Sequence, residues 1–119
     1  MAAPNLRDPE FVIGKTVGYA VTASMADVLV NGAASGKVLR VNAVYCANID
    51  GTASAPIDLT WRRSGTDFFL AKGIIVPASA TQVLVAREAY IYLEEGDSLR
   101  AKSGAADDLE LLVSYEDIS

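Results

Sequence analysis

What most restricts the fold of this chain is a two-residue hydrophobic period, cut repeatedly by turn-forming Gly, Asp and Ser. Along residues 37–48, Leu39, Val41, Ala43, Tyr45 and Ala47 fall on one face. Val38, Arg40, Asn42, Val44, Cys46 and Asn48 fall on the other. Side chains of a strand alternate between its two faces, so an apolar face opposite a mixed one predicts a half-buried antiparallel strand. Asp50-Gly51 then predicts a turn, because glycine accepts positive φ without steric cost.

The same period recurs along the chain. Residues 57–62 alternate without a fault, with Ile57, Leu59 and Trp61 directed inward and Asp58, Thr60 and Arg62 outward. Ser64-Gly65-Thr66-Asp67 predicts a short hairpin loop, and 68–72 return. Further strands are expected over 73–77, 81–87, 90–93 and 99–102, the last two joined by the acidic turn Glu94-Glu95-Gly96-Asp97. In the run 109–115, Leu109, Leu111, Val113 and Tyr115 share a face, and Leu112 breaks the polar pattern opposite them. An edge or interface position explains that break, and so does core placement through a bulge. Residues 14–23 and 27–30 complete the strands. The Ala-rich stretch 21–34 holds Gly32 and Gly36 at or near its end and allows no more than one helical turn. Many short strands joined by such turns predict an all-β, antiparallel, jelly-roll-like β-sandwich over residues 11–119. Ahead of it, residues 1–10 read as an extended N-terminal arm, since Pro4 and Pro9 exclude a regular helix there.

Length and charge narrow the function. A chain of 119 residues is the size of one domain and buries about two-thirds of its unfolded surface without staples. Ten basic residues against fifteen acidic ones give a net charge of -5, which phosphates repel. Arg62-Arg63, the sole basic doublet, reads as a solvated strand end, so no nucleic-acid partner is expected. No run of residues is long and apolar enough to predict a membrane span or a signal peptide, which points to synthesis in a cytoplasm and no membrane partner. Cys46 is the single cysteine. It has no internal partner and lies in an apolar run, as a buried, unreactive thiol does.

Catalytic machinery is not legible. The chain has no histidine, which removes Ser-His and Cys-His nucleophile pairs and histidine-bearing zinc sites. Glycine-rich phosphate loops are missing as well. Two acidic groups remain, Glu94, Glu95 and Asp97 at one turn and Asp107, Asp108 and Glu110 at another. Both stand at turns expected to be wet, where no carboxyl pKa is raised for acid–base work, and neither has EF-hand spacing. The expectation is no enzyme, no cofactor and no metal. Among the aromatics, at least one of Phe68 and Phe69 must leave the core, and Phe69 is the candidate anchor for a partner.

The runs 90–100 and 105–116, together with Gly36-Lys37-Val38-Leu39-Arg40-Val41 and the opening Met1-Ala2-Ala3-Pro4-Asn5-Leu6, resemble small β-sandwich virion structural proteins of tailed bacteriophages. The resemblance spans most of the chain and lies in the strand-and-turn pattern. It implies a capsid cement or decoration protein on the virion surface, clamping neighbouring major capsid subunits. It also implies a homo-oligomer, a trimer in preference to a dimer. The contact residues would be Pro4, Asn5, Leu6, Arg7, Pro9 and Phe11 of the arm, with Phe69 and Leu112 on the sandwich. A small head–tail or tail component is the variant of this reading. A jelly-roll module that stacks a carbohydrate or receptor on Phe69, Tyr90 or Tyr92 is its rival from another class.

Overall fold

A five-stranded and a four-stranded antiparallel sheet face each other across a core of branched aliphatic side chains. The computed structural model describes residues 4–119, so residues 1–3 of the expected arm lie outside it. In chain order the strands are β1 (Val12–Ala20), β2 (Ala26–Val30), β3 (Val38–Asn48), β4 (Ala55–Arg63), β5 (Thr66–Val76), β6 (Thr81–Val85), β7 (Ile91–Leu93), β8 (Ser98–Ser103) and β9 (Leu109–Ile118). One sheet, sheet A, has the order β1-β9-β3-β6 with β7 also paired to β3. The other, sheet B, has the order β2-β8-β4-β5.

Strands β6 and β7 flank a single 3-10 turn, Arg87–Ala89, and pair with the two halves of β3. Taken as one interrupted strand, they complete the two interlocked Greek keys of a jelly roll. The expected all-β sandwich is therefore the fold. The Ala-rich stretch contains β2 where a strand over 27–30 was expected, and the 3-10 turn falls between the strands expected over 81–87 and 90–93, overlapping the first only at Arg87.

Val41, Val44 and Cys46 of β3, Ile57 and Leu59 of β4, Leu99 of β8 and Leu109, Leu111 and Val113 of β9 fill the space between the sheets. All have short or branched side chains, so the sheets approach closely without a large aromatic centre. One face assignment reverses. The register of β3 slips between Val41 and Ala43, and beyond this bulge Val44 and Cys46 point inward. Ala43, Tyr45 and Ala47, expected on the same face as Val41, point outward. A bulge adds one unpaired residue, which exchanges the faces of everything beyond it.

The β4–β5 hairpin turns on Ser64 and Gly65, both at positive φ, so its loop has two residues instead of four. Strand β5 joins two segments expected to be separate. It bends at Gly73, whose φ is 64° and whose N–H donates to Asp58 Oδ1 at 2.7 Å.

Candidate interaction surfaces

The residues expected to contact partners lie in three separate places. In the arm, Asn5 closes a turn: its backbone oxygen accepts from the Asp8 N–H at 3.1 Å and its side-chain oxygen from the Arg7 N–H at 3.0 Å. Leu6 and Phe11 are both exposed large apolar side chains. Phe11 exchanges two backbone hydrogen bonds of 2.9 Å with Ser119, which extends the β1–β9 ladder by one residue pair. Pro4 and Pro9 are half-buried. Phe69 stands on β5, the outer strand of sheet B, and Leu112 in the middle of the outer face of sheet A. The fold thus does not gather the arm, Phe69 and Leu112 into one site.

Leu112 has neighbours that sequence reasoning missed. The registers place Gly18, Leu112, Tyr45 and Val83 side by side across β1, β9, β3 and β6. Leu112 is 47% exposed, Tyr45 39% and Val83 48%, so a continuous apolar row crosses the outer face. Beside it lies a groove of about 530 Å³ floored by Ala20, Ala47 and Thr81, with Glu110 at its side. Tyr45 escaped notice because an unseen bulge had to be crossed to place it outside. Leu112 itself was the available signal, an apolar residue at a polar position.

A second apolar surface lies where β5 and β7 approach each other. Trp61, Phe68, Phe69, Tyr90 and Tyr92 line a cleft of about 420 Å³. Trp61 and Phe68 rings lie 5.7 Å apart, and Tyr90 and Tyr92 meet edge to face at 5.5 Å. The Trp61 indole N–H donates to the Tyr92 carbonyl at 3.2 Å, tying the two sheets together at this flank. Cations sit on the rings: the Arg40 guanidinium is 3.9 Å from the Tyr90 centroid, Arg63 4.6 Å from Trp61 and Lys72 5.1 Å from Phe69. Such contacts are attractive because the ring face is electron-rich. Both Phe68 and Phe69 are exposed, where at least one was expected to be.

The acidic turn between β7 and β8 is not uniformly wet. Asp97 is fully buried, accepts from Arg63 at 2.8 and 2.7 Å and from the Glu94 backbone N–H at 2.8 Å. Hydrogen bonds to Asp97 first, then Glu94, raise the Arg63 pKa still further and hold it charged. Arg63 is thereby a structural partner and not the free strand end its sequence suggested. The turn is thus a salt-linked brace, in which Asp97 accepts three hydrogen bonds that tie β4 to the β7–β8 turn. Among the described residues, no three His, Cys, Asp or Glu side chains converge as a metal site would require. Nor is any helix among them long and apolar enough to cross a membrane. Burial pushes the Cys46 thiol up to about 11, so its nucleophilic thiolate is scarce at neutral pH.

No family model matches the chain. No curated protein matches it either. Among solved structures it is similar to a subunit of the disulfide-linked pili that form Bacillus endospore appendages. The TM-score is 0.54 with 12% identity over 92% of this chain and 87% of the other. A pentameric capsid protein isolated from metagenomic phage sequences gives a TM-score of 0.41 at 17% identity. There, 87% of this chain covers 60% of that protein, a likeness too loose to weigh. At such identities the pilus likeness speaks for the fold alone, a jelly-roll sandwich.

Proposed function

We propose that this chain is a non-enzymatic structural subunit of a phage virion, seated on the capsid surface as a cement or decoration protein. The observation that carries the reading is the exposed apolar row of Leu112, Tyr45 and Val83. Contiguous large apolar side chains on one sheet face mark a surface meant to be covered by protein. The sequence resemblance to tailed-phage virion proteins supports the virion setting, and the jelly roll is a fold that capsid domains use. In this reading residues 1–10 act as an arm that lies across a neighbouring major capsid subunit. Leu6 and Phe11 are its apolar anchors, and Phe69 and Leu112 serve the sandwich. The copies act together, as a trimer in preference to a dimer, and each needs only a modest contact because the lattice multiplies it. The net charge of -5 keeps the free subunit soluble and away from nucleic acid. Disulfide linkage, which names the similar pilus, has no counterpart in this fold, where Cys46 is buried.

Quantitative mass spectrometry of purified particles tests the proposal. Hundreds of copies per particle are expected, and deletion of residues 2–10 should abolish particle binding. A handful of copies would move the chain to the head–tail junction or the tail, and complete absence would end the virion reading. The aromatic cleft favours one other reading, a carbohydrate-binding module, because Phe69, Tyr90 and Tyr92 do converge there beside Trp61. That module would keep its glycan after the arm is deleted and lose it on Tyr90→Ala.

A further inference from the structure

We propose that the outer face of sheet A is self-complementary, and that two copies of this chain stack through it about a two-fold axis parallel to the strands. The inference takes the same exposed row as the virion reading but gives it a second copy of this chain as its cover, in a pair where that reading favours a trimer.

Two glycines first raise the question. Gly14 and Gly18 occupy alternate outward positions of the edge strand β1. Neither has positive φ, and a Cβ added to either meets nothing within 4 Å. The monomer therefore has no use for a missing side chain at these positions. A β-branched residue there would favour the strand by up to about 1 kcal/mol. Glycine inside a strand often marks a bulge, a bend or the close approach of a ligand or another backbone, and the β1–β9 ladder runs through both glycines without a register shift.

The register says what approaches. At one level the face runs from small to large: Gly18, Leu112, Tyr45, Val83. A two-fold axis along the strands reverses the strand order and preserves the level. Gly18 of one copy then lies opposite Val83 of the other, and Leu112 opposite Tyr45. Four residues along β1 the pattern repeats: Gly14 pairs with Glu116, Glu116 with Arg40, and Arg40 with Tyr92. The same rotation sets Gly14 beneath the second copy's Tyr92 and Glu116 opposite its Arg40. Within one copy that ion pair is long, 3.9 Å, with both side chains about a third exposed; although Glu116 also accepts from Asn42 and Arg40 rests on Tyr90, each keeps open sites for a second charged partner. Each glycine thus meets a bulky side chain and each carboxylate at this level a guanidinium.

Other dispositions fit worse. An axis across the strands lays β1 on β1; set so that Gly14 and Gly18 face each other over a void, it brings the apolar Leu112 over the charged Glu116. Edge pairing through β5 is blunted by the bend at Gly73 and by two register shifts, devices that keep an edge from adding strands.

Sedimentation velocity of the full chain over ~1 to ~200 µM reads the association directly. A monomer–dimer equilibrium is expected in that range. Gly18→Val should leave the thermal midpoint unchanged or higher, because its Cβ has room, and weaken association about tenfold or more. Leu112→Ser should weaken it similarly. Mixing Gly18→Cys with Val83→Cys under mild oxidation should give covalent dimers that neither variant forms alone. A chain that stays monomeric throughout overturns the inference, as does association indifferent to Gly18→Val or a mixture that fails to cross-link. A monomer still abundant on particles would overturn this interface while leaving the proposed function standing.

Discussion

Asp117 lies buried at the side of sheet A between two lysines, with Lys15 Nζ at 3.0 Å and Lys37 Nζ at 3.1 Å from the same oxygen. Burial opposes its ionisation, but the hydrogen bonds and charges of both lysines outweigh that penalty and hold the carboxyl below the ordinary Asp range. Lys15 is raised in turn, first by its hydrogen bond to Asp117. The signs fix a window. A depressed carboxyl stabilises the fold fully above its unfolded pKa of about 3.9, and the gain is lost as pH falls through the folded value. A raised lysine keeps its gain below the unfolded value of about 10.4 and loses it as pH rises through the folded value. Between roughly pH 5 and pH 9 the triad should be at full strength. Asp117→Asn is expected to cost about 1–2 kcal/mol at pH 7 and clearly less at pH 3, read from urea midpoints. An equal cost at both would show that the lysines do not tune this carboxyl.

At the scale of the element, the β4–β5 hairpin is held by its turn and by Trp61 against Phe68. Ser64 has φ 52° and Gly65 φ 80°, the left-handed pair of a type I′ turn. Serine is poorly suited to the first position and asparagine tolerates it well. Ser64→Asn should therefore raise stability by about 0.5 kcal/mol, seen as a small rise in thermal midpoint, and a fall would contradict the turn assignment. This hairpin was legible because both sides alternate and the Ser-Gly signal lies between them. Strand β3 was legible in extent but not in facing. Nothing in Val41-Asn42-Ala43 announces an extra residue, and the partners that force the slip, β6, β7 and β9, are distant in sequence. The exposed row at Tyr45 was hidden for that reason. Asp97 was missed similarly: a Gly-Asp turn reads as wet until Arg63, over thirty residues away, covers it.

For the whole molecule, the strand order was beyond reach of pattern alone, since each sheet interleaves early and late strands. Such non-local pairing also governs opening. Cys46 sits in β3 and is itself paired with both β6 and β9, while its side chain has no exposure. A thiol reagent should reach it only through global unfolding, so labelling should accelerate with denaturant in parallel with the unfolding rate. Rapid labelling of the native protein would reveal a looser sheet A. The virion reading and the face-to-face interface belong to this scale too, because both depend on a surface assembled from four strands.

Phe11 and Ser119 are hydrogen-bonded to each other at the open end of the β1–β9 ladder. A neighbour gripping the arm while another holds Ser119 would therefore pull the two strands apart from one end. The nine paired positions from Val12↔Ile118 to Ala20↔Glu110 would yield in sequence, like a zip, instead of resisting together in shear. Loads carried by the arm alone are mechanically weak at this seam, whereas loads spread over the sheet faces bypass it.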